Sequence, residues 1–263
     1  MNPKPNLIRA KGAAFKLHQE YCVRSPSDIR VEDIAMDRNG LVIEVDLEGA
    51  EARLIKDGSR GVVRIRADIP EPGRKRFAAS HELGHWQIHE GGTYVCTVAD
   101  MADYQRNFRE AEANAFAAEF LMPTFLFRPL SENKAPSLDL VEDLKRHFNT
   151  SLTSTALRLM DESGEDCMVV LSKNQVVERC RRTEKCKLPL FIEYGSPLHE
   201  ESVAFHCEPT PPRIPKAEKV PLHAWFDPDQ FRYPDPEELV VWEQSMRLGN
   251  YPTVLTLLWV VER

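Results

Sequence analysis

The chain has 263 residues, 42% hydrophobic and 29% charged, with a formal net charge of −7, a composition that excludes a fibrous or disordered chain and suits one large domain or two ordinary ones. The negative balance excludes a chain-wide electrostatic footprint for nucleic acid. No apolar segment follows MNPKPNLIRAKG as a signal peptide requires, and the longest apolar run, VLTLLWVV at 254–261, is too short to span a bilayer.

Residues 11–23 (KGAAFKLHQEYCV) have helical spacing and open a first domain. Asn39-Gly40 and Asp57-Gly58 are turn signals beside three alternating stretches, LVIEVDL (41–47), ARLIK (52–56) and GVVRIRA (61–67). These predict a small antiparallel sheet. Pro72-Gly73 closes it and a helix follows over about 74–90, ended by Gly91-Gly92. The basic run Arg74-Lys75-Arg76 reads as a solvated helix start. The segment TYVCTVADMADYQ (93–105) leads into a second helix, NFREAEANAFAAEFLM (107–122), stopped at Pro123. Ser137 is the expected N-cap of a helix to about His147, and another covers 152–162. The stretch NTSLTSTALRL (149–159) has the texture of a helix-turn-helix. Its neighbourhood offers few cations beyond Lys145, Arg146 and Arg158, so packing is the expected role and direct nucleic-acid binding is not.

After Glu165 the texture changes. CMVVLSKNQVVERC predicts a hairpin turning near Lys173-Asn174, PTPPRIPKAEKVP (209–221) a proline-rich loop, and LVVWEQ with TVLTLLWVV two strands around Gly249-Asn250. The fold class is therefore α+β, with a first domain over 1–163 and a smaller, sheet-rich domain over 164–263. Six scattered cysteines form no CxxC pair. Together with the missing export signal they predict free thiols in a cytoplasmic protein. Cys180, Cys186, His206 and Cys207 lack the tight spacing of a zinc knuckle.

The stretch 74–90, RKRFAASHELGHWQIHE, holds the strongest chemical signal: His81-Glu82-Leu83-Gly84-His85 is an HExxH motif. Residues four apart share a helix face about 6 Å apart along the axis, so two imidazoles can hold one ion. Glu82 then stands beside that ion as a general base and not as a ligand. His89 lies about 12 Å from His81 on a straight helix, too far to complete the site, and is expected at the helix end. A carboxylate from the second helix is the alternative. Glu110 shares a face with Ala113, Asn114, Ala117 and Leu121, whereas Glu112 and Glu119 lie together on another. The small residues of the Glu110 face favour close approach to a helix that itself carries Ala78 and Gly84. Phase alone leaves open that Glu110 is a solvated carboxylate. Asn114 is placed to hydrogen-bond a ligand.

These residues resemble the ImmA/IrrE family of metallopeptidases, in which a basic-Phe run leads into HExxH and a second helix carries a glutamate and an Ala-Ala…Leu-Met-Pro ending. FAAEFLMP (116–123) sets the register. The resemblance covers about 61–162 and implies a zincin-type helical core with one zinc per chain. It assigns His81, His85 and Glu110 as zinc ligands, Glu82 as general base and Asn114 as the residue four after the last ligand. It further implies a peptidase that cleaves a DNA-binding repressor in stress response or mobile-element control. Tyr94, Tyr104 and His89 flank the site in sequence and are the candidate oxyanion donors. The competing reading is a non-proteolytic, metal-binding regulator whose C-terminal domain binds a ligand or partner.

Overall fold

The computed structural model describes residues 4–89, 94–96, 108–184, 186, 193–208, 214–226, 240–249 and 251–259. It is α+β and divides into two compact units: Met1–Phe127 with Leu144–Ser154, and Arg128–Asp143 with Thr155–Arg263.

The first unit opens with α1 (Leu7–Glu20), four residues earlier than the spacing predicts. Asn6 sets that start, its side-chain oxygen accepting the Arg9 N–H at 2.9 Å. Ala10, Ala14, Leu17 and His18 form the buried face. A short helix not foreseen in the sequence, α2 (Val31–Asp37), buries Val31, Ile34 and Ala35. Asn39, at φ 61°, ends that helical segment in the left-handed region, so Asn39-Gly40 marks a helix end and not a hairpin.

Strands β1 (Gly40–Val45), β2 (Ala52–Asp57), β3 (Arg60–Arg66) and β4 (Tyr94–Cys96) form a sheet of order β1-β3-β2-β4. The expectation of a purely antiparallel sheet is corrected here, because β1 pairs parallel to β3 while β2 pairs antiparallel to β3 and β4. The cause is local. Gly58 at φ 56° closes a tight β2–β3 hairpin, while the six residues 46–51 let β1 pass to the far side of β3. Gly40 and Gly61 are paired in register and together make a floor for the Trp86 indole. A Cβ at Gly40 would lie 2.2 Å from Trp86 Cζ3, and one at Gly61 2.9 Å from the same atom.

Across this sheet lies α3 (Pro72–Ile88), with Pro72 at its first turn. Its basic start is not simply solvated. Arg74 pairs with Glu51, Lys75 with Glu44 at 2.6 Å, and Arg76 donates to the Ile29 carbonyl at 3.1 Å. α4 (Phe108–Leu121) packs against both α1 and α3. Ala113, Phe116, Ala117, Phe120 and Leu121 are fully buried. His18 Nε2 bonds the Phe120 carbonyl at 2.9 Å and its ring stacks on Phe120.

Three helices follow: α5 (Thr124–Ser131), α6 (Leu138–Phe148) and α7 (Leu152–Glu162). Ser137 caps α6, accepting the Leu140 N–H at 3.1 Å. Arg158, one of the three cations considered for DNA contact, is 1% exposed and lies 3.3 Å from Glu162. That buried pair belongs to packing and not to groove reading.

The second unit carries an antiparallel sheet of order β6-β5-β9-β8-β7, from β5 (Cys167–Lys173), β6 (Val176–Arg182), β7 (Glu218–Pro221), β8 (Val240–Arg247) and β9 (Thr253–Trp259). Asn174 and Gln175, both left-handed, make the two-residue β5–β6 turn. The end of the proline-rich stretch is edge strand β7, which finishes at Pro221, where a missing N–H costs no ladder bond. Met168, Val170, Val220, Trp225, Phe226, Val241 and Leu258 belong to the core of this unit. No helix among the described residues is long and apolar enough to cross a membrane.

Candidate metal centre

On α3 the run Ser80–His85 is buried throughout. His81 and His85, one turn apart, present their rings edge to face with centroids 4.7 Å apart. Glu110 comes from the first turn of α4. Its Oε2 lies 3.0 Å from His81 Nε2, its Oε1 lies 3.2 Å from His85 Nε2, and the two Nε2 atoms are 3.1 Å apart. Two donors held at zinc's usual bond length in a tetrahedron stand about 3.3 Å from each other. The two imidazoles and the carboxylate, whose two oxygens each face one ring, thus form a triangle of groups of the size one small cation would span, and this donor set suits zinc.

The helices can approach because Gly84 faces Phe116, where a Cβ would lie 2.9 Å from Phe116 Cδ1. Burial works against a charge on His81, but the hydrogen bond to Glu110 and the charges of Glu82 and Glu110 outweigh it and raise its pKa. Burial lowers that of His85 to about 4. For Glu110, burial pushes upward, yet the hydrogen bonds to both histidines hold the carboxyl well below its ordinary range. The site therefore keeps an anionic carboxylate opposite the imidazoles. Glu82, next to His81, is 0% exposed.

The far sides of the two rings are also bonded. His81 Nδ1 donates to Asn114 Oδ1 at 3.1 Å, which leaves Nε2 as the atom that a bound metal would take. His85 Nδ1 lies 2.9 Å from His89 Nδ1, and His89 Nε2 lies 2.9 Å from Glu112 Oε2. His89 is the C-cap of α3, its backbone already extended at φ −113°, ψ 134°. It is not part of the triangle, and both of its ring nitrogens are engaged within the protein. Glu112, which helical phase sets apart from Glu110, also faces α3. The four-residue step from His85 to His89 puts a third imidazole beside the second, at the edge of the site. Glu119 is elsewhere: its carboxylate takes the Thr124 N–H at 2.9 Å and hydroxyl at 2.8 Å. The side chain of Tyr94 and the whole of Tyr104 lie outside the described residues, as does the side chain of Cys96.

A second group, His199, Glu201 and His223, is more exposed and belongs to the second unit. Cys180, Cys186, His206 and Cys207 form no such group among the described residues. Cys22, Cys167, Cys180, Cys186 and Cys207 are free thiols, and burial pushes Cys167 up to about 12 and Cys180 to about 11.

An α+β unit with HExxH on one helix and a carboxylate from the next defines the architecture of a metallopeptidase-like domain. Residues 37–160 match the Peptidase_M78 family model, described as an IrrE N-terminal-like domain. This match, over just under half of the chain, supports an ImmA/IrrE family assignment. No curated protein matches it. Among solved structures it is similar to a Mycobacterium tuberculosis transcriptional regulator, with a TM-score of 0.57 and 17% sequence identity over 95% of this chain and 86% of that one. At that identity the likeness is one of fold.

Proposed function

We propose that this chain is a zinc-dependent endopeptidase that hydrolyses a peptide bond in a specific protein substrate. The observation that carries the reading is the triangle of His81 Nε2, His85 Nε2 and Glu110, closed to 3.0–3.2 Å beside a fully buried Glu82. His81, His85 and Glu110 would hold the ion, and Asn114 fixes the His81 ring. A zinc ion held there would supply Lewis acidity, lowering the pKa of a bound water towards ~7. Glu82 accepts the proton of the attacking water and passes it to the departing nitrogen. Tyr94 and Tyr104 are the remaining candidates for donating to the oxyanion.

The substrate is a DNA-binding repressor or antitoxin-like regulator, and the setting is cytoplasmic stress response or mobile-element control. Residues 1–163 act as the peptidase domain and 164–263 as the sensory or partner-binding domain. A non-proteolytic regulator is the second reading, favoured by the structural neighbour named as a transcriptional regulator.

Glu82→Gln separates the two readings. Under the first it keeps zinc bound, and the new protein N-termini that appear in cells expressing the wild type do not appear. A Glu82→Gln chain that still performed the cellular function would sink the peptidase reading.

A further inference from the structure

His85 is held by a relay that runs beyond the metal centre, from His85 Nδ1 to His89 Nδ1 at 2.9 Å, from His89 Nε2 to Glu112 Oε2 at 2.9 Å, and from the Asn6 N–H to Glu112 Oε1 at 2.6 Å. The protons in this chain can be placed by chemistry. A carboxylate oxygen accepts, so the 2.9 Å contact is made by a hydrogen on His89 Nε2. A neutral His89 then offers a lone pair at Nδ1, and His85 must supply the hydrogen for that contact from its own Nδ1. The lone pair of His85 is left on Nε2, the atom that a metal held together with Glu110 and His81 would take.

We infer that His89 and Glu112 are positioning residues that hold His85 in its metal-binding tautomer and ring orientation, as Asn114 does for His81. The inference rests on the zinc reading above and adds two residues to it. Burial supports the assignment. His89 is 6% and Glu112 4% exposed, and a carboxylate so buried is retained only when it is hydrogen-bonded or paired. A histidine serving merely as a helix end would have turned its ring to solvent. Instead the chain leaves the helix at His89 while the ring stays against His85, with centroids 5.0 Å apart. The relay crosses from α3 to α4 and ends on the N-cap of α1, where the helix dipole also favours an anion. Arg9 of α1 donates to the Ile88 carbonyl and so secures the turn from which His89 departs.

The test uses full-length protein with uniformly ¹⁵N-labelled histidine. Imidazole ¹⁵N spectra of the metal-free wild type should show His85 protonated at Nδ1, and competition with a chromophoric chelator then gives zinc affinity. His89→Phe should weaken zinc binding by about 10- to 100-fold and move the His85 proton towards Nε2, with circular dichroism unchanged. His89→Gln keeps an acceptor for the His85 N–H and should recover most of the affinity. Glu112→Leu added to His89→Phe should cost little more, since the two act in series.

The inference is overturned if metal-free wild type carries the His85 proton on Nε2, or if folded His89→Phe binds zinc as tightly as wild type. It also falls if His89→Gln is as damaged as His89→Phe. A wild type that binds no zinc removes the metal reading itself, and that result is read before any variant is made.

Discussion

Replacing Gly84 with alanine tests whether the spacing of α3 and α4 sets the geometry of the metal centre. The new Cβ would stand 2.9 Å from Phe116 Cδ1 and 3.2 Å from Phe116 Cβ and Cγ. Carbon pairs are most favourable at about 3.5–4.0 Å, so the closest contact is short by roughly 0.6–1.1 Å. Phe116 cannot easily give way: it is 0% exposed and its ring stacks on Phe120 at 5.6 Å. The helices must separate, at an overpacking cost of about 1–3 kcal/mol. Glu110 lies on the same helix as Phe116, 3.0 and 3.2 Å from the two histidine nitrogens. A shift of even half the shortfall exceeds the roughly 0.2 Å that metal–ligand distances tolerate. Gly84→Ala is therefore expected to lose stability and to bind zinc more weakly than wild type. Urea unfolding and chelator competition measure the two effects. Phe116→Ala alone should cost about 3–5 kcal/mol, but the double variant should cost clearly less than the sum, because the cavity accommodates the methyl. Wild-type stability and zinc affinity in Gly84→Ala, or strict additivity in the cycle, would refute the reasoning.

Two further outcomes follow from other parts of the chain. Removing the metal should destabilise the fold: zinc at 100 times its dissociation constant contributes about 2.7 kcal/mol, so a chelator should lower the wild-type melting temperature by several degrees and leave Glu110→Ala, which has lost its metal, unmoved. In the second unit, Glu243 accepts the Val203 and Ala204 N–H groups, the Trp225 indole N–H and the Ser245 hydroxyl at 2.6–3.1 Å. Glu243→Gln turns an NH₂ group towards two of those donors, for about 1–3 kcal/mol each. Chemical denaturation should register this loss, and an unchanged midpoint would mean that the donors re-pair.

The parts legible in the sequence were those governed by local spacing. His81 and His85 face one way because they are one turn apart, and the small residues around Glu110 signal the close approach that brings its carboxylate to them. Ser137 and the Asn174 turn were readable for the same reason, since a cap and a left-handed hairpin each need a particular residue type. What escaped was decided at longer range. The sequence shows that Gly40 and Gly61 lack side chains, but not that their strands pair side by side under Trp86, some 46 positions from Gly40 (86 − 40). α2 is under two turns long and too short to show a period. Glu112 meets His89 across two helices, a contact that the projection of a single helix cannot contain.

The hydrogen bond from Asn6 to Glu112 gives this protein a functional boundary different from its family boundary. The matched domain begins at residue 37, yet α1 lies ahead of it and packs against α4 while its N-cap closes the relay behind His85. A fragment trimmed to residues 37–160 would keep every donor of the triangle but lose the outermost support of one.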